Sequence, residues 1–97
     1  MNLRKLARGR DCQVRLQGVC NFNPETTVLA HYRLAGMCGI GMKPNDFCCA
    51  AWACSDCHDA IDGRRRTVFS PSEIAQAHLE GVMRTQYALI LEGVVKV

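Results

Sequence analysis

The sequence predicts a small α+β domain stapled by zinc, with short strands and a C-terminal helix. Three observations predict it. Seven cysteines occur in 97 residues, a length at which a core buries too little surface to be secure alone. The run TVLAHYRL is rich in β-branched and apolar residues and reads as a strand. Ser70-Pro71-Ser72-Glu73 is a capping-box pattern with Pro at N1, followed by apolar residues at helical spacing. The chain reads as one domain over 1–97, with a zinc-stapled core over about 11–66 and a helix over about 71–92. One Trp, two Tyr and three Phe do not make an unusually rich core. The length excludes a (β/α)₈ barrel or a Rossmann fold with an added substrate domain.

Taken in order, residues 1–11 suit a short basic helix with Leu3 and Leu6 on one side. Between Cys12 and Cys20, Val14 and Leu16 alternate with polar neighbours until Gly18, which predicts a short strand or hairpin ending in a turn. NFNPETT is a loop with Asn-Pro at its centre. TVLAHYRL carries His31, and GMCGIGMKPND is a Gly-rich loop. The apolar FCCAAWAC leads into CSDCHDAIDG, where Cys54 to Ile61 opens a helix that Gly63 ends or interrupts. In the last helix Ala75, Leu79, Val82, Met83, Tyr87, Ile90 and Leu91 recur with helical period, and Gly93 is the stop. Gly81 weakens that helix by about 1 kcal/mol relative to Ala, which implies a kink or close packing there.

The start MNLRKLARGRDC lacks an apolar segment of about 7–15 residues, and no stretch approaches the roughly 18 apolar residues of a membrane span. A cytoplasmic protein without membrane contact is expected, with its thiols reduced. An odd number of cysteines also leaves a disulfide set incomplete, so metal binding is favoured. Residues 1–66 hold ten Lys and Arg against six Asp and Glu, whereas 67–97 hold two against three. The basic groups Arg4, Lys5, Arg8 and Arg10, and then Arg64, Arg65 and Arg66, suit a polyanion such as DNA. A solvated basic face is the plainer alternative.

The strongest local signal is Cys54-Ser55-Asp56-Cys57, whose spacing lets two thiolates reach one tetrahedral ion. Cys12 and Cys20 are the leading candidates for the other two ligands, if a hairpin folds them together. Cys38, Cys48 and Cys49 are rivals. The string C-x-x-C-H is also the c-type haem signature, but that reading leaves Cys12, Cys20 and His31 unexplained. If the following segment is helical, His58 and Asp62 share one face and could grip a cation. Acidic residues favoured by the macrodipole at a helix start are the alternative. A lone histidine in a strand, such as His31, is more often structural than catalytic, and His78 on the last helix reads as structural. The glycines between 36 and 41 match no phosphate-cradle spacing.

Together the order is Cys…Cys, a strand ending in Ala30-His31, a Gly-rich loop, Lys43-Pro44-Asn45-Asp46, then Cys54-x-x-Cys57-His58-x-x-x-Asp62. This resembles the zinc-stapled HNH, or ββα-metal, nucleases. Through ARGRDCQVR, GVCN, NPETTVLAHYRL, KPND, ACSDCHDAID and EGVVKV, the whole chain is similar to the YbcO-like family of small lambdoid-prophage nucleases. Part of the pattern is also similar to the RecA-dependent Ref nuclease of a phage.

The resemblance implies a ββα-metal fold in which His31 is the general base and His58 and Asp62 bind a catalytic Mg²⁺ or Mn²⁺. It assigns the middle position of the triad to Asp46, with Asn45 as the lesser candidate. Arg33 and Arg64–Arg66 would hold the DNA backbone, and a recombinase such as RecA would be a partner. Many HNH enzymes carry Asp or His just before the base as a further ligand. Here Ala30 stands there, so the cation has one protein ligand fewer: either another residue such as Asp59 compensates, binding is weak, or His31 itself turns to the metal.

The expected function is therefore a metal-dependent DNA endonuclease of phage recombination or repair. The runner-up is a zinc-finger nucleic-acid-binding protein without cleavage. A third reading is a zinc-stapled interaction module that forms a homodimer through its C-terminal helix. Base-specific readout is not expected, because no helix carries an Arg/Asn/Gln reading face.

Overall fold

Two short strands pair at the centre of the computed structural model, which describes residues 2–96. Strand β1 (Val28–His31) runs antiparallel to β2 (Ala50–Ala53), with His31 opposite Ala50 and Val28 opposite Ala53. Helix α1 (Leu3–Leu6) precedes them, α2 (Ser55–Ile61) follows β2 almost at once, and α3 (Pro71–Leu91) closes the chain. The result is a small α+β domain with a two-stranded sheet and a C-terminal helix.

Strand β2 reads AAWA, and all four residues are buried. Alanine is a poor strand former, but its small side chain lets helices approach the sheet closely. Ala51 and Ala53 join Ala30, Val14, Leu16, Val82 and the metal-side cysteines in one core cluster. Trp52 points the other way, into a second cluster with Ala7 and Leu89. The sheet is thus covered on both faces, as the unalternating apolar run requires.

The outer edge of β2 is also closed. The Trp52 N–H donates to Thr85 Oγ1 at 2.9 Å, and its carbonyl accepts from the Gln13 N–H at 2.7 Å. An edge that could template another strand is capped from within, which leaves Trp52's backbone groups satisfied.

The helix ends follow their sequence signals. In α3 the Glu73 N–H donates to Ser70 Oγ at 3.2 Å, and the Ser70 N–H donates to Glu73 Oε1 at 2.8 Å. The helix runs unbroken past Gly81, so close packing rather than a kink explains that residue. A Cβ there would stand 3.0 Å from Val14 Cγ2 and 3.2 Å from the Gln13 carbonyl. Helix α1 is shorter than the basic segment suggested, with Asn2 capping the N–H groups of Arg4 and Lys5.

The strand or hairpin expected between Cys12 and Cys20 does not form. Arg15 adopts a φ of 54°, in the left-handed region that breaks an extended run. The Leu16 carbonyl then accepts from the N–H groups of Val19 and Cys20 and makes a turn. Val14 and Leu16 are buried as the alternation predicted, but on consecutive turns. Among the described residues, no helix is long and apolar enough to cross a membrane.

Candidate metal centre and active-site cleft

The turns between Cys12 and Cys20 bring both thiols against the start of α2. The sulfurs of Cys12, Cys20, Cys54 and Cys57 all lie within 4.8 Å of one another. Cys54 Sγ and Cys20 Sγ are 3.8 Å apart; a tetrahedron with bonds of about 2.3 Å has edges of about 3.8 Å, so the donor set fits a four-coordinate ion. The rivals Cys38, Cys48 and Cys49 lie outside this group.

Backbone groups already favour charged sulfur here. The Cys57 N–H points at Cys54 Sγ at 3.4 Å, and the Arg15 N–H at Cys12 Sγ at 3.5 Å. Arg15 occupies the position of the second cysteine in a C-x-x-C knuckle and offers its amide instead. Without a cation the thiols compete: a hydrogen bond from Cys57 pulls Cys12 down to about 4. The same contact pushes Cys57 up, and burial is the chief cause that pushes Cys20 up to about 11. A metal held by all four relieves that repulsion and would tie three distant segments together. Cys54 and Cys57 are fully buried, as a closed structural site requires.

The other end of α2 faces a different environment. His58 Nε2 and Asp62 Oδ2 are 3.3 Å apart across one helical turn, each about a third exposed. The N-terminal turn of α2 is fixed by the thiols, so these two side chains inherit its orientation. Asp62 is shared with Arg64, whose Nη2 lies 3.0 Å from Oδ2. Asp59 is also held by Arg64, at 3.1 Å.

His31 sits at the end of β1, with Nε2 2.7 Å from Asp46 Oδ1. The loop between the strands brings Asp46 back to this point. Asn45 does not take the role: its Oδ1 accepts from the N–H groups of Phe47 and Cys48 and shapes the loop. The hydrogen bond from His31 holds the Asp46 carboxyl below its ordinary value, aided by Arg4 and opposed by partial burial. Arg4 Nε stands 3.5 Å from Asp46 Oδ1, a contribution from α1 that no local motif announced.

A cleft of about 460 Å³ opens between β1 and the helices, lined by His31, Tyr32, Arg33, Asp62 and His78 among others. It brings the predicted base and one predicted metal ligand to a common space. His78 forms part of its floor, where it meets Ala30 O at 2.9 Å and stacks edge-on against Tyr32 at 5.2 Å. Burial lowers its basicity, so it is a neutral donor that holds the β1 backbone just before His31. The reading of His78 as structural is compatible with that bond, but its position in the cleft was not legible from sequence.

The predicted phosphate contacts divide. Arg65 pairs with Asp56 at 2.9 Å, and Asp56 also accepts from Asn21 at 3.0 Å. Arg64 is committed to Asp59 and Asp62. Arg33 and Arg66 are exposed and form no ion pair among the described residues. Ala30, just before His31, is fully buried in the first core cluster and serves packing.

Comparison with known proteins extends along nearly all of this framework. The model of the family described as "Putative nuclease YbcO" matches residues 1–94. The chain is 58% identical over 96 residues to "Putative nuclease YbcO" of Escherichia coli strain K12, covering 98% of this chain and 97% of that protein. It is equally similar, with the same coverage, to "Putative nuclease ybcO" of Enterobacteria phage 82. A solved structure of a putative bacteriophage protein from Escherichia coli K-12 MG1655 superposes with a TM-score of 0.79 at 49% identity. It covers 95% of this chain and 100% of that one. By matches of this extent, from the first basic helix through α3, the chain belongs to the YbcO family.

Proposed function

We propose that this protein is a metal-dependent endonuclease of the HNH, ββα-metal type that hydrolyses phosphodiester bonds of DNA. The observation that carries the reading is a shared cleft: His31, oriented by Asp46, and Asp62, one helical turn from His58, both line or adjoin it. The element order supports the type, with β1 and β2 antiparallel and α2 following directly. The names carried by the relatives from Escherichia coli and phage 82 support the nuclease class, and the second relative's source supports a phage or prophage setting. The recombination or repair role comes only from the resemblance to the Ref nuclease. A recombinase such as RecA is the partner that the similarity to the Ref nuclease adds.

In this reading Cys12, Cys20, Cys54 and Cys57 hold a structural zinc, and His58 and Asp62 hold Mg²⁺ or Mn²⁺. Bound there, the divalent ion supplies Lewis-acid stabilisation to the phosphate and its departing oxygen. The protein's own part begins at His31. Asp46 accepts from the Nε2–H and leaves Nδ1 as the lone-pair nitrogen that takes a proton from the attacking water. The carboxylate then steadies the imidazolium. Arg33 and Arg66 hold flanking phosphates through charge-assisted hydrogen bonds. Arg64 keeps Asp62 aimed until the cation competes for it.

Binding without cleavage is the second reading, and Ala30 is the observation that favours it. With that side chain buried in the core, and with both Asp59 and Asp62 shared with Arg64, His58 is the one candidate ligand of the three that Arg64 does not hold. Nicking of supercoiled plasmid in Mg²⁺ or Mn²⁺ separates the two. The wild type is expected to nick, and His31→Ala to nick about 10²–10⁴-fold more slowly with its fold intact. A wild type that binds DNA and nicks in neither metal, with or without a recombinase, leaves the second reading standing.

A further inference from the structure

The Gly-rich segment between the strands is unused by this mechanism, although both its ends are. It leaves the sheet just after His31 and returns at Asp46, and those two side chains close it with their 2.7 Å contact. Within it Leu34, Met37, Ile40 and Met42 are 48, 42, 109 and 51% exposed. Isolated exposed apolar residues need no explanation, but a cluster within nine residues of one loop does. Ile40 stands at the very tip. The Gly39 N–H donates to the Met42 carbonyl at 2.9 Å and the Met42 N–H to the Gly39 carbonyl at 3.0 Å, which makes a tight turn. Gly41 takes the positive φ of 75° that the third position of such a turn demands. Flanked by two glycines, Ile40 has no side-chain neighbour in sequence to shield it.

The charge around this tip is one-sided. From Arg33 to Asn45 the sequence holds no acidic residue. Arg33 and Lys43, one on each stem, are exposed and form no ion pair among the described residues. An apolar tip between two cations complements a base stack between two phosphate backbones. Proteins that kink DNA insert Ile, Leu or Met at a base step in this manner.

We propose that the loop over 34–42 is a wedge: Ile40 enters a DNA duplex at a base step beside the scissile phosphate while Arg33 and Lys43 hold the flanking backbone. This rests on the nuclease reading, and it adds the form of substrate, a duplex opened at one step. Because both stems end on His31 and Asp46, the step that is opened stands at a fixed offset from the base that activates water. Selection then follows deformability, with flexible pyrimidine–purine steps preferred, rather than hydrogen bonding to base edges.

The test uses the full-length, zinc-loaded His31→Ala protein, so that binding is read without cutting. The probe is a short DNA duplex carrying 2-aminopurine at successive positions, whose fluorescence rises on unstacking. Saturating protein is expected to brighten one or two adjacent positions. Adding Ile40→Ala, at a fully exposed site, is expected to abolish the brightening and weaken binding roughly tenfold, without changing the salt dependence. Lys43→Ala is expected to keep the brightening and lower the slope of log affinity against log salt by about one. No brightening at any position, or an Ile40→Ala protein that binds and brightens like its parent, overturns the wedge and leaves the loop to a protein partner. In that event nicking by the chain with His31 intact tells whether the nuclease reading survives; absence of both DNA binding and nicking overturns the two together.

Discussion

The two ends of α2 are built for opposite purposes. At its N-terminus four sulfurs converge within 4.8 Å, two of them wholly buried, and they draw on segments far apart in sequence. Farther along, His58 and Asp62 are each about a third exposed, and the carboxylate is already shared with Arg64. The first arrangement offers four ligands and no opening. The second offers one imidazole and one carboxylate beside a cleft of about 460 Å³. The difference teaches that one short helix, pinned at its start by thiols from distant segments, can hold an imidazole and a carboxylate at a fixed place along its next turn. Without the thiol end, seven helical residues would not hold their orientation.

The largest expected effect breaks this arrangement at the thiol end. Chelation of the metal, or Cys57→Ser, is expected to unfold the domain, since structural zinc supplies about 10–16 kcal/mol in small zinc domains. Circular dichroism during titration with a chelator checks it. Loss of metal with α3 and the sheet intact would make the thiols incidental.

A smaller effect tests the cleft floor by pH. Burial holds the folded-state pKa of His78 below its ordinary value of 6.5, so the unfolded chain binds that proton more readily. The contribution of neutral His78 is therefore complete above pH 6.5 and is lost as pH falls through 6.5 towards the folded-state value. Thermal unfolding between pH 8 and 5 is expected to fall less steeply for His78→Gln than for the wild type. Parallel curves would remove His78 from the acid response.

The smallest effect sharpens the open end. Arg64→Ala frees Asp62 and Asp59 from a competing cation, and calorimetry on the zinc-loaded protein is expected to find Mn²⁺ bound a few-fold more tightly. Unchanged affinity would mean that Arg64 does not compete for the site.

Much of this was legible in the sequence because the signals were local. The capping box at Ser70, the Cys54-Cys57 knuckle and the one-turn spacing of His58 and Asp62 each depend on neighbours within four residues. The Cys12–Cys20 segment was misread because hydrophobic alternation survives in the burial of Val14 and Leu16, while the left-handed Arg15 turns the chain between them. Arg4 beside Asp46 and His78 against the Ala30 carbonyl were illegible for another reason. Their partners lie 42 and 48 residues away, and only the packing of α1 and α3 on the sheet brings them in. The division of the basic cluster was hidden too, because nothing in the string Arg64-Arg65-Arg66 tells which members are spent on Asp56, Asp59 and Asp62.

The claim that α2 carries two separate metal functions is tested most directly by His58→Ala, with zinc content and plasmid nicking measured on the same samples. The account predicts one zinc per chain, a wild-type far-ultraviolet spectrum, and nicking in Mg²⁺ or Mn²⁺ lost by at least about tenfold. A His58→Ala protein that sheds its zinc, or that nicks at the wild-type rate, would contradict it.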